Sequence, residues 1–290
     1  MPAFETLLSF VNCWECDEND HLNVQFYLSR FDEADRQFRL LTGLSDAVAG
    51  VRRARHIRYH AELYSGDTLV MTSHIAFDGP YMLTVVHQLR RTIDGAIAAT
   101  AVDGYAPSDQ VARELRRRFE DAAAPMPDAA LPRSLPTTPE TLSITARQIE
   151  TAGAAITHRA TVLPRHAGPD GRAEDGFAVG CFSEAAPHLW NRTPMTESWL
   201  EARDLGRVAV EMKLVWASPL KMGDPAVTMS GLTGASTSTF SFRHYLFEAR
   251  TLRLAAICDV TALAMNLKTR KATKLEEDVR SAIIKAAMKH

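Results

Sequence analysis

Apolar and polar positions along the chain form two similar series, each a helix-like stripe followed by four short strand-like runs. In the first series, Ile57 to Leu63, Thr68 to Phe77, Leu83 to Arg90 and Ala96 to Val102 predict strands, separated by S-G-D, D-G-P and I-D-G turns. In the second, Val208 to Trp216, Ala226 to Leu232, Thr237 to Glu248 and Leu252 to Thr261 predict the same order. Turns this short imply hairpins, and hairpins imply an antiparallel sheet. Before the first series, Tyr27, Phe31, Ala34, Phe38 and Leu41 recur at helical spacing, with Arg30, Asp32, Glu33, Arg36 and Arg39 on the other faces. Gly43 supplies the stop. Before the second series, Cys181 to Asn191 predicts a more apolar helix that stops before Pro194, with Pro187 inside it.

The likeness of the two series goes beyond pattern. Shifting residues 63 to 99 by 157 places Leu63, Gly66 and Asp67 on Leu220, Gly223 and Asp224 without a gap. The same shift pairs Val70 with Val227, Ser73 with Ser230, His87 with His244, Leu89 with Leu246, and Ala98-Ala99 with Ala255-Ala256. Ile57 faces Leu214 and Tyr59 faces Trp216. A gapless offset of this length reads as a duplicated domain. Each copy is an α+β unit, a strand and a long helix followed by four antiparallel strands. The expected division is 1–124 for the first domain, 125–145 for a linker and 146–290 for the second. Ala124 to Pro139 carries five prolines among small residues, as a linker does. Ser108 to Ala122 and Leu275 to Lys289 read as flanking helices, the first with an arginine cluster on a solvated face.

Composition narrows the function. At 290 residues and 46% hydrophobic, the chain can bury two ordinary cores. A formal charge of −2 gives no reason to invoke nucleic acid or an anionic membrane, and no apolar run is long enough to span a bilayer. MPAFETLLSF lacks the basic and apolar blocks of a signal peptide. Four cysteines do not make a disulfide framework, and the Cys13/Cys16 pair has no second pair at zinc spacing. The chain reads as a cytoplasmic protein with reduced thiols, without membrane or nucleic-acid partner, bound metal or organic cofactor.

Candidate chemistry concentrates in CDENDHLNVQFY, residues 16 to 27. Two aspartates, a histidine and two asparagines precede the start of the first helix. A helix N-terminus offers unpaired N–H groups and the positive end of a dipole, suited to an oxyanion. A carboxylate beside it is placed to act as base or nucleophile on a carbonyl. The competing structural reading is a capped helix start, with Asp20 the available N-cap.

Asp17, Asp20, His21, Asn23 and Tyr27, followed downstream by Gly66-Asp67, resemble the D-x-x-G-H-x-N-x-x-x-Y motif of hot-dog-fold acyl-CoA thioesterases of the 4-hydroxybenzoyl-CoA thioesterase type. The resemblance covers about residues 5 to 105 and, through the repeat, extends to about 155 to 265, implying a tandem double hot dog whose halves pair as a pseudo-dimer. It implies an acyl-CoA substrate entering a cleft between the halves, with Asp17 as general base or nucleophile. His21 and Asn23 join Asp17 as catalytic candidates, and Asp20, Leu22 and Val24 line the substrate at the helix start. Asp20 stands where the family has glycine, which would crowd the oxyanion site if its side chain capped the helix. Adding 157 to 17, 21 and 23 lands on Glu174, Ala178 and Gly180, so the second copy is expected to be degenerate. Arg52, Arg53 and Arg55 are candidates for coenzyme A phosphates. His87 and His244, present in both copies, are expected to support the fold. Two other readings stay open: a hot-dog hydratase or dehydratase, disfavoured by the four-residue step from Asp17 to His21, and a non-catalytic acyl-CoA-binding module. The tandem unit leaves room for further assembly as a homodimer.

Overall fold

The structure is a computed structural model, and it describes residues 3–17, 20–120, 123–138, 141–168 and 170–289. Glu18 and Asn19 of the motif, Asp121 and Ala122 of the helix expected over 108–122 and Pro139 of the proline-rich stretch lie outside the described residues. The chain forms two compact units, Met1–Thr137 and Thr138–His290. No helix among the described residues is long and apolar enough to cross a membrane.

In the first unit, β1 (Phe4–Phe10) leads through a 3-10 turn (Cys13–Glu15) into α1 (Val24–Thr42) and a short α2 (Asp46–Ala49). The strands β2 (Arg52–Tyr59), β3 (Thr68–Ala76), β4 (Leu83–Arg91) and β5 (Ile97–Tyr105) follow, then α3 (Asp109–Arg118). The sheet runs β1-β3-β4-β5-β2, with antiparallel pairing at each step. Tyr27, Phe31, Ala34 and Phe38 are buried as their spacing predicts, while Leu41 is 56% exposed. Gly43 ends α1 in the left-handed conformation (φ 67°), donating its N–H to the Arg39 carbonyl. A side chain there would be strained by the backbone and would meet the Arg118 guanidinium at 2.9 Å.

In the second unit, α4 (Ala146–Ala152) precedes β6 (Ala155–Thr161) and α5 (Asp175–Trp190). Then come α6 (Glu197–Glu201), β7 (Leu205–Trp216), β8 (Pro225–Ala235), β9 (Thr239–Glu248), β10 (Arg253–Asn266), β11 (Lys271–Ala272) and α7 (Glu277–Ala286). Its sheet order, β6-β8-β9-β10-β7, repeats that of the first unit, with β11 added beside β10. Each unit is thus one long helix and an antiparallel sheet, the α+β hot-dog arrangement.

Several elements depart from expectation for physical reasons. The strand expected over 57–63 lies at Arg52–Tyr59, because Arg52 and Arg55 are drawn inward by carboxylates. The helix α5 starts at Asp175 rather than Cys181, and it runs through Pro187 as expected. Leu189 and Trp190, beyond the proline, are buried, and their burial offsets the missing backbone hydrogen bond. Part of the proline-rich stretch lies down on the first sheet. Met126 and Ala130 pack against Ala76, Val86 and Val102. Arg58 Nη1 donates to the carbonyls of Ala129 (2.9 Å) and Leu131 (3.0 Å).

Candidate active site

Four backbone hydrogen bonds hold the loop before α1. Asp17 N–H donates to His21 O (2.8 Å), and Asp20 N–H donates to Asp17 O (3.0 Å). Leu22 N–H donates to Leu63 O and Asn23 N–H to Glu15 O, both at 2.9 Å. These four bonds close a tight loop between the 3-10 turn and the helix. Asn23 is the N-cap of α1, its Oδ1 accepting from Gln25 N–H at 3.1 Å. The Asp17 carboxylate turns back on the loop and accepts from His21 N–H at 3.2 Å. Val24 N–H, the first of the helix, has no hydrogen-bond partner among the described residues. Asp17 is half-buried, His21 and Leu22 are buried, and Asn23 and Val24 are partly open.

Asp20 does not cap the helix. It is exposed, and its backbone is left-handed, φ 60°. That conformation favours glycine, with Asp and Asn among the residues that tolerate it best. The position needs a residue that can turn left-handed, and the aspartate makes the turn.

Two residues far along the chain complete the cluster, and neither was identifiable from local sequence. His21 Nε2 lies 3.7 Å from Glu62 Oε2, and the His21 ring meets Tyr64 edge-on at 5.0 Å between centroids. Tyr64 OH donates to Glu62 Oε2 at 3.0 Å. Tyr27 is buried, and burial pushes its phenol pKa up, with the Glu62 and Asp17 carboxylates adding to the rise. Tyr27 therefore stays a neutral phenol at the floor of the cluster. The link from His21 to Glu62 exists because Leu22 pairs with the segment after β2.

The second unit reproduces this loop bond for bond. Gly168 N–H donates to Arg172 O (2.9 Å), Gly171 N–H to Gly168 O (2.9 Å), Ala173 N–H to Leu220 O (2.9 Å) and Glu174 N–H to His166 O (2.8 Å). The correspondence sets Gly168 against Asp17, Gly171 against Asp20, Arg172 against His21 and Glu174 against Asn23, an offset of 151. This corrects the offset of 157 carried from the strands, which set Glu174, Ala178 and Gly180 against the motif. Gly171 adopts φ 73°, close to the 60° of Asp20. Beyond the loop, the same offset sets Phe31 against Phe182 and Ala34 against Ala185.

Arg52 and Arg55 are not available to phosphates. Both are buried on the inner side of β2. Arg55 makes a bidentate pair with Asp103, 2.7 Å on each arm, and reaches Asp32 at 2.6 Å. Arg52 Nη1 contacts Asp103 at 3.1 Å and Nη2 contacts Asp32 at 2.8 Å. Although burial opposes it, Arg55 and Arg52 together hold the Asp103 carboxyl well below the usual carboxylate range. Ligand atoms of Asp35, His87 and Asp103 fall within 4.8 Å of one another. The guanidinium groups already supply the positive charge there. Arg53 remains on the surface. The arginines at the end of α3 are also engaged, Arg118 with the Thr42 carbonyl (2.8 Å) and Arg116 with that of Phe77 (3.2 Å).

His87 and His244 occupy matching buried positions. Thr6 Oγ1, Ser73 Oγ and His87 Nδ1 form a chain at 2.7 and 2.6 Å. Thr157, Ser230 and His244 repeat it at 2.6 and 2.5 Å. All four cysteines are free thiols, with Cys13 exposed and Cys16 Sγ donating to Asn12 O at 3.7 Å.

With this geometry in place, comparison with known proteins fits. A family profile described as the thioesterase-like superfamily matches residues 11–133 and 172–283, one segment in each unit. The chain belongs to that superfamily, and the reaction class the superfamily defines is thioester hydrolysis. Among solved structures, a 12:0-ACP thioesterase from Umbellularia californica is similar over 90% of this chain and 94% of its own, with 10% identity and a TM-score of 0.62. An acyl-ACP thioesterase from Bacteroides thetaiotaomicron is similar over 90% and 98%, with 9% identity and a TM-score of 0.61. At such identities the likeness establishes the fold alone. No curated protein sequence matches the chain.

Proposed function

We propose that the protein hydrolyses acyl thioesters at the loop of the first unit, with Asp17 as the catalytic carboxylate and coenzyme A as the thiol carrier. One observation carries the assignment. The loop is built from backbone hydrogen bonds that the second unit forms equally well with Gly168, Arg172 and Glu174. Asp17 and His21 are therefore not needed to make the loop. Their presence on the first unit, beside an open helix start, is what thioester chemistry asks for.

The chemistry follows from the positions. The Asp17 carboxylate takes a proton from water, and the water oxygen attacks the thioester carbonyl; direct attack by the carboxylate is the alternative route through an acyl-enzyme anhydride. Negative charge then develops on the carbonyl oxygen, where the Val24 N–H and the positive end of α1 stabilise it. Collapse of the tetrahedral species breaks the C–S bond and releases the thiol and a carboxylic acid. His21, held between Glu62 and the loop, orients the thioester or the attacking water. Asn23 acts mainly through its cap, which fixes the direction of the helix N-terminus. Leu22 and Val24 present the apolar edge along which the acyl group enters.

The strongest argument for a binding module without catalysis was an aspartate in place of glycine at position 20. Asp20 instead keeps the glycine-like backbone, and the cap on the helix start is Asn23, so the aspartate does not occupy that site. Free-thiol release from a panel of acyl-CoAs tests the proposal. Asp17→Asn is expected to lower kcat/KM by about 10² to 10⁴-fold with the fold intact by circular dichroism. Acyl-CoA binding with no thiol release by the wild-type chain, across short, branched, aromatic and long acyl groups, would instead establish the binding module.

A further inference from the structure

The edge strand β1 presents a feature that the hydrolytic reading does not use. Leu8 is 69% exposed and Phe10 50% on the outer border of the first sheet, and Trp14, in the 3-10 turn that follows, is 75% exposed. Exposed edges in natural proteins are usually blunted by charges or prolines, because they otherwise template pairing with another strand. Between Phe4 and Phe10 the only charge is Glu5, at the strand's beginning.

The second unit shows what a blunted version looks like. Its edge strand β6 has the same place in the sheet order and the same register, bulge included. Under the loop offset, Leu8 corresponds to Arg159, Phe10 to Thr161 and Trp14 to Arg165, all three exposed. At these three positions the second edge is polar and cationic and the first apolar, while Ile156, 51% exposed, stands where the first unit has Glu5.

Backbone direction identifies which groups face outward. Val11 N–H donates to Asp67 O, and Val11 O accepts from Gly66 N–H, so Val11 bonds toward the sheet. Alternation along an antiparallel strand then turns the N–H and C=O of Leu8 and Phe10 toward the open edge. Arg30 confirms the direction, reaching the Phe10 carbonyl from outside at 2.7 Å. The Leu8 backbone is left as the docking point.

We propose that β1 pairs with β1 of a second copy of this chain, antiparallel about a two-fold axis at Leu8. In this register Leu8 lies opposite the second copy's Leu8, and the bulge between Glu5 and Leu7 ends the regular pairing on either side. The two Glu5 residues lie at opposite ends of the paired segment, so their carboxylates stand well apart. The same pairing through β6 would set Arg159 directly against Arg159, which repels. Self-pairing is thus favoured on one edge and disfavoured on the other. The carboxylates near Leu8 and Phe10 (Glu5, Glu15, Glu33) oppose an anionic lipid surface as the occupant of this edge.

Light scattering with size-exclusion chromatography across a hundredfold range of protein concentration tests this. The wild-type chain is expected to form a dimer, and Leu8→Arg, which copies the second unit's residue, should raise its dissociation constant at least about tenfold. Arg159→Leu serves as the control variant for the opposite edge. In a Cys13→Ser background, Leu8→Cys is expected to cross-link as a dimer under mild oxidation and Ser9→Cys is not. A wild-type chain that stays monomeric throughout overturns the proposal. So does a dimer whose dissociation constant is unchanged in Leu8→Arg. Binding of a monomeric chain to neutral phosphatidylcholine vesicles, lost in Leu8→Arg, would also overturn it and assign this edge to lipid.

Discussion

The two units build one loop from two different sets of side chains. In the first, Asp17, His21 and Asn23 hang from it; in the second, Gly168, Arg172 and Glu174 do. The backbone bonds match position by position. Under the proposed function, the second unit keeps the bonds that hold the loop's shape and lacks the groups assigned to the reaction. The exchange at the left-handed position runs the other way, with aspartate on the first unit and glycine on the second. That position tolerates both because its requirement is conformational.

The interiors diverge as well. Each unit buries the same Thr-Ser-His chain. In the first unit the chain ends at Asp103, with His87 Nε2 at 3.4 Å and Arg52, Arg55, Asp32 and Asp35 around it. In the second it ends among aromatic rings. His244 stacks on Phe182 at 5.4 Å and meets Phe242 edge-on at 5.1 Å, with Trp190 packed on Phe242 at 4.7 Å. The helix positions explain the change, since Asp32, Asp35 and Arg39 correspond to Ser183, Ala186 and Trp190. Around the buried histidine, one unit sets paired charges and the other aromatic rings.

The largest expected effect comes from unpairing the charged interior. Asp103→Asn takes away the bidentate carboxylate of buried Arg55 and one of the carboxylates on Arg52. Unfolding by urea should show a loss of about 3–5 kcal/mol. A loss under 1 kcal/mol would mean that Asp32 and Asp35 alone satisfy both guanidinium groups.

Next in size is an acid sensitivity belonging to the second unit. Burial pushes the His244 pKa down from 6.5 to about 3. The unfolded chain therefore binds a proton below pH 6.5 that the folded unit does not. Stability from this residue is full above pH 6.5 and falls progressively down to about pH 3, by at most about 1.4 kcal/mol per pH unit. Melting curves of wild type and His244→Gln between pH 7 and 4 should converge as pH falls. Parallel curves would mean that the buried imidazole is not the acid-sensitive group.

The smallest effect sharpens the loop comparison itself. Asp20→Gly should change stability by less than about 1 kcal/mol and keep thiol release, since the left-handed turn is retained. Gly171→Asp should cost no more than about 1 kcal/mol in a thermal melt. Loss of thiol release in Asp20→Gly would give that side chain a direct part in the reaction.

Local pattern made much of the protein legible. The apolar stripe from Tyr27 to Phe38, the turn glycines and the recurring strand runs specify their elements because the periodicity of a helix or strand depends on near neighbours. The clustering of Asp17, His21 and Asn23 before a helix was likewise visible, because a loop this short is written in consecutive residues. The repeat was visible too, but only as far as one offset could carry it. The spacing between equivalent residues grows from 151 in the loop to 157 in the strands. The difference falls between the equivalent helix positions Arg39 and Trp190 and the equivalent strand positions Ile57 and Leu214, where α6 lies. Only hydrogen bonds fixed by the folded backbone reveal which loop residues correspond.

Tertiary structure alone decided the rest. Arg52 and Arg55 look like surface cations in sequence, yet carboxylates from α1 and β5 draw them inside. Glu62 joins His21 because two segments forty residues apart pair at Leu22 and Leu63. Leu8 and Arg159 reveal their contrast only when both are seen on a sheet edge. Such properties depend on which distant groups the fold brings within a few ångströms, where charge pairing, desolvation and strand pairing act, and short-range periodicity carries no record of that.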